Sequence, residues 1–87
     1  MIRWDEEKNA WLKRERTISF ERIAEAIDAG DYIDIIQHPS RANQHMFVLR
    51  IDGYVRAVPY VVEGKEEESI FLKTAFPGRK LNRNHRE

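Results

Sequence analysis

The chain has no cysteine, no net charge, few glycines and prolines, and no long apolar run. Each absence excludes something. Without cysteine there can be no disulfide, thiolate nucleophile or thiolate metal site, so an 87-residue chain must be held together by packing. Its four glycines form no phosphate-cradling loop, and HExxH and GxSxG are also missing. Nucleotide hydrolysis, zinc chemistry and serine hydrolysis therefore have no support. No apolar stretch approaches the roughly 18 residues of a membrane span, and "MIRWDEEKNAW" lacks the basic and apolar regions of a signal peptide. The expectation is a soluble cytoplasmic protein with no membrane partner. His38, His45 and His85 are too scattered to make a metal site, so neither metal nor cofactor is expected.

What remains is one domain spanning residues 1–87, with residues 77–87 a basic tail. Fifteen basic and fifteen acidic side chains cancel, but they are unevenly placed. "EGKEEE" (Glu63 to Glu68) is acidic, whereas the stretch from Lys73 onward holds five basic side chains and a histidine against one acid.

Periodicity places the elements. "MIRW" alternates as a short strand, and Asp5 is a suitable cap for a helix running to about Arg14, with Glu6 and Glu7 in the first turn. Ser19 caps a second helix, in which Phe20, Ile23, Ala24 and Ile27 share one face. Ile18 and Ile23 form a hydrophobic staple at its start, and Gly30 supplies a left-handed C-terminal cap. Strands follow at "YIDIIQH", "HMFVLRI", "YVRAVPYVV" and "SIFLKTAF", with Asp52 and Gly53 closing a type I′ hairpin. The fold class is α+β: a small antiparallel sheet of about four to five strands with two N-terminal helices on one face.

Pairing Ile51 with Tyr54 puts Phe47, Leu49 and Ile51 on one face with Val58 and Tyr60, and Met46, Val48 and Arg50 on the other with Val55 and Ala57. Simple alternation continues through the last strand, grouping Leu72, Thr74 and Phe76 against Phe71, Lys73 and Ala75. The heavier face should meet the helices, leaving a half-apolar, half-basic open face. Pro59 cannot donate to a ladder, so its strand should be an edge or bulged there.

The residues that could carry chemistry are basic. If the chain turns back at Pro77 and Gly78, then Arg50, Lys73, Arg79 and Lys80 converge. Guanidinium and ammonium groups hold phosphodiesters and stabilise the extra charge of their transition states. RNA carries its own 2′-OH nucleophile, so its cleavage needs alignment, charge stabilisation and proton transfer, but no metal.

The segment "WDEEKNAWLKRERTISFERIAEAID" resembles the opening of the BrnT family of bacterial toxins, on Trp4, Asp5, Lys8, Asn9, Leu12, Ile18, Ser19, Phe20 and Glu21. The family usually has His-Gly where this chain has Arg16 and Thr17. The resemblance implies a RelE-like fold and a type II toxin that inhibits translation as a metal-independent endoribonuclease. Its partner would be a cognate antitoxin of the ribbon-helix-helix class, and its substrate RNA. Under this reading Lys73, Arg79, Lys80 and His85 are catalytic, with His85 the proton-transfer group, while Arg50, Lys8 and Arg16 bind RNA. Arg16 supplies charge only, because a guanidinium does not deprotonate. The alternative is a non-catalytic RNA- or protein-binding module of the same fold.

Overall fold

A computed structural model of the chain describes residues 1–78. Strand β1 (Ile2–Trp4) leads directly into helix α1 (Glu6–Glu15). The Asp5 carboxylate caps that helix, accepting from the Glu7 and Lys8 N–H groups at 2.8 and 3.3 Å. Helix α1 ends at Arg16, and Thr17 takes a left-handed conformation (φ 53°), uncommon for a β-branched residue. Helix α2 (Phe20–Asp28) starts at Ser19, whose Oγ accepts from Arg22 N–H. It ends in a Schellman motif: Gly30 at φ 70° donates to the Ile27 carbonyl, and Asp31 donates to that of Ala26. Both helix starts and the glycine stop follow the sequence reading.

The sheet contains β2 (Asp34–Gln37), β3 (His45–Ile51), β4 (Tyr54–Glu63), β5 (Ser69–Leu72) and β6 (Phe76–Pro77). Its spatial order is β1-β5-β4-β3-β2, with β6 also paired to β4. The β3–β4 hairpin has the expected register, Ile51 against Tyr54, and both Asp52 and Gly53 have positive φ as a type I′ turn requires. One strand's direction and another's length differ from the sequence expectation. Strand β1 lies parallel to β5, so the sheet is mixed and not purely antiparallel. Strand β2 is confined to four residues, shorter than "YIDIIQH" suggested. Alternation reports which residues share a face and carries no information on strand direction.

The sequence reading puts Pro59 on an edge strand or at a bulge in its own strand; β4 is instead an inner strand, regularly paired with β3 at Pro59, and the irregularity lies in the segment facing it. Tyr60 pairs with Leu72 and Ala57 with Phe76, so three residue steps on β4 oppose four on the other chain segment. The extra residue is absorbed between β5 and β6, beside Pro59. Pro59 has no N–H to offer there, and its carbonyl accepts from Lys73 N–H at 2.8 Å. The bulge reverses the side-chain parity. Ala75 enters the helix-side core and Phe76 joins Ala57 on the other face, the opposite of simple alternation. Up to Gly78 the chain has not turned back: Pro77 pairs with Arg56, and Gly78 N–H donates to the Val55 carbonyl.

Leu12, Ile18, Phe20, Ile23 and Ile27 from the helical segment pack with Phe47, Leu49, Ile51, Val58, Leu72 and Ala75 in one cluster. The helices thus cover the heavier face, as expected. The second face is not open along its centre, however. Met46, Val48, Val55 and Ala57 are buried although they lie outside the helix-packed cluster. A strand pattern identifies the residues on a face but not what lies above them.

Candidate functional site

The motif residues from Trp4 to Glu21 come together at the corner between α1 and α2. Asn9 is 1 % exposed. Its Oδ1 accepts from the Phe20 N–H at 2.8 Å, and its Nδ2 donates to Glu21 Oε1 at 2.8 Å. One side chain of α1 therefore satisfies an open donor at the start of α2 and fixes the first-turn acid beside it. Lys13 approaches the other Glu21 oxygen at 3.5 Å. The Asn9 hydrogen bond, ahead of the backbone N–H and the Lys13 charge, holds the Glu21 carboxyl below its ordinary value. Trp4 stacks on Phe20 with centroids 5.9 Å apart, while its indole N–H donates to Glu6. Leu12 and Ile18 are core residues. Most of the motif thus has an architectural role here.

Lys8 and Arg16 flank the half-buried Trp11, with Lys8 Nζ 4.4 Å and the Arg16 guanidinium carbon 5.2 Å from the ring. Both distances suit cation–π contact. These cations belong to the helical side of the sheet. Arg50 and Lys73 belong to the other: Arg50 pairs with Val55, and Lys73 extends over the Phe71 ring at 5.4 Å. Lys73 stands level with Pro59, four residues along β4 from Val55. Counting that rise and two strand spacings puts the backbones of Arg50 and Lys73 roughly 16 Å apart. The pairing register therefore does not set the two side by side. Because the chain runs straight through Pro77, Gly78 reaches the Arg50 end of β4 and leaves Lys73 behind. Arg79, Lys80 and His85, the rest of the expected catalytic set, lie outside the described residues.

Two surface features went unread in the sequence. A cleft of about 290 Å³ is lined by Lys13 and Arg22 with Thr17, Ile18, Ser19 and Asp52. These basic residues come from separate helices whose relative placement depends on the Asn9 corner. The other feature is a groove of about 420 Å³ on the helix-bearing face, beyond the end of α2. Phe47 and Tyr60 stack at 4.4 Å in its floor, and Tyr32 meets Phe47 edge-on at 5.3 Å. Burial pushes the Tyr60 phenol above its ordinary value. The sequence signal for this groove was apolar side chains in "YIDII" and "YVV", which also fit an ordinary core.

Among the described residues, no three His, Asp or Glu side chains are grouped to hold a metal ion, and no helix is long and apolar enough to cross a membrane. The fold and site define a small α+β domain with a mixed sheet, a two-helix layer on one face and basic residues on both sides. Comparison with protein-family profiles, curated proteins and solved structures returned no match.

Proposed function

We propose that this protein is the toxin of a type II toxin–antitoxin pair and acts in the cytoplasm as a metal-independent endoribonuclease, held in check by a ribbon-helix-helix antitoxin. The observation that carries the reading is the α1–α2 corner. The residues of the BrnT-like segment interlock through Asp5, Asn9, Ser19 and the Trp4–Phe20 stack, so the resemblance extends over a coherent structural unit. Basic side chains suited to phosphate supply the chemistry: Arg50 with Arg79 and Lys80 stabilise charge on the scissile phosphodiester, and His85 transfers the proton. Lys73, Lys8 and Arg16 contact flanking RNA in this scheme. Lys73 thus binds and does not catalyse, and Arg50 moves from binding to charge stabilisation, because Gly78 lies at the Arg50 end of β4.

The test is induction in bacteria together with incubation of the purified protein and RNA in the presence of a chelator. Growth arrest and metal-free cleavage are expected, both lost in the Arg79→Ala, Lys80→Ala double variant. Arrest that persists in that variant removes these residues from the mechanism. The separation of Arg50 from Lys73 favours a second reading, an RNA-binding module that tracks an extended backbone without cutting it. That reading predicts salt-sensitive binding with RNA intact after long incubation.

A further inference from the structure

We propose that the groove beyond α2 is a docking site for an amphipathic helix of a partner protein, with apolar residues on one face and Lys or Arg flanking them. The inference goes beyond the ribonuclease reading and does not depend on it. Six large hydrophobic side chains are exposed among the described residues, and four of them, Met1, Tyr32, Ile35 and Val62, line this groove. Ile33 adjoins it in sequence between Tyr32 and Ile35. Such concentration at one end of a sheet face is the signature of an interaction surface.

The groove's direction selects the occupant. Its lining takes Ile2, Ile70, Tyr60, Phe47 and Ile35 from β1, β5, β4, β3 and β2 in their spatial order, so it runs across the strands. Four strand spacings make a trough about 19 Å long. A peptide in extended form laid over a sheet face would leave its backbone groups unpaired, whereas a helix satisfies its own. About 13 helical residues fill that length, and α2 closes one side through Ile27 and Asp28, so the incoming helix would extend the existing helical layer.

Charge selects the flanks. Asp28 and Glu68 line the groove, and Glu68 closes the acidic turn that also holds Glu63, Glu66 and Glu67. Basic residues beside the apolar stripe complement this rim. A second copy of the chain is a poor occupant, because a two-fold contact would bring the two acidic rims together.

The probe is a 14-residue peptide with leucines at helical i, i+3, i+4 and i+7 spacing and lysine flanks, compared with its glutamate-flanked isomer. Both are titrated into the labelled full-length protein and followed by NMR. Shift changes are expected at Tyr32, Ile35, Val62 and Ile70, with the lysine peptide bound about tenfold more tightly at low salt. Val62→Lys should remove binding, and Glu68→Lys should erase the preference between the peptides; both sites are on the surface, and an unchanged core spectrum shows that the variants are folded. Equal affinity for the two peptides, shifts confined to other surfaces, no binding, or sedimentation showing a self-dimer that buries the groove would each overturn the proposal. None of these measurements depends on RNA cleavage, so either proposal can fail alone.

Discussion

Replacing Asn9 with alanine tests the α1–α2 corner most directly. The substitution leaves the Phe20 N–H, an open donor at the start of α2, without its acceptor in a fully buried position. An orphaned buried donor costs about 1–3 kcal/mol, and the void left by the lost amide adds on the order of 1 kcal/mol. The bond to Glu21 contributes little to this total, because the exposed carboxylate recovers its hydration. The expected loss is therefore about 3 kcal/mol. A chain of this length has roughly 4–13 kcal/mol to lose, and the melting temperature should fall by roughly 12–24 °C. Urea denaturation and thermal melts followed by circular dichroism measure both.

The same variant has a pH signature. Glu21 has a carboxyl value held below 4.5 in the folded state by Asn9, so its stabilising contribution is present above pH 4.5 and is lost as pH falls through the lowered value. Asn9→Ala should weaken this acid dependence. Asn9→Asp keeps an acceptor for Phe20 but sets a second carboxylate against Glu21, so it should be more destabilising at neutral pH than in mild acid. A loss below about 1 kcal/mol for Asn9→Ala, with the acid dependence intact, would refute the assignment.

Three further substitutions probe other parts of the fold. Thr17→Gly relieves left-handed strain of about 1–2 kcal/mol while adding flexibility to the unfolded chain, so a net gain of roughly 1 kcal/mol is expected in urea midpoints. Ala75→Asp should cost at least about 3 kcal/mol while Lys73→Asp stays within about 0.5 kcal/mol, because the bulge buries the first and leaves the second exposed. Equal effects would disprove the parity switch. Tyr60 has a phenol value raised above 10.0 by burial, so the unfolded state ionises first: stability is intact below pH 10.0 and declines as pH rises through the folded value. Tyr60→Phe should flatten that decline, as measured by denaturation across an alkaline series.

The local elements were legible because their signals are local. Asp5, Ser19 and Gly30 mark helix ends through hydrogen bonds and backbone preferences within a few residues, and Asp52-Gly53 dictates a turn whose twist sets the β3–β4 register. Pro59, lacking a donor, pointed to an edge or a bulge in its own strand, whereas that strand is an inner one and the extra residue falls on the segment opposite. Tertiary structure decided that the bulge falls between Leu72 and Phe76, which moved Ala75 inward and carried Gly78 toward Arg50 and away from Lys73. It also set β1 parallel to β5, since direction depends on how the intervening chain is routed. Likewise, Asn9 reads in sequence as one polar residue of a charged helix; only the approach of α2 makes it a buried double partner. The basic excess toward the C-terminus was a matter of composition, visible at once. Whether cations meet is a matter of distance, and distance depends on strand pairing that residue types alone do not specify.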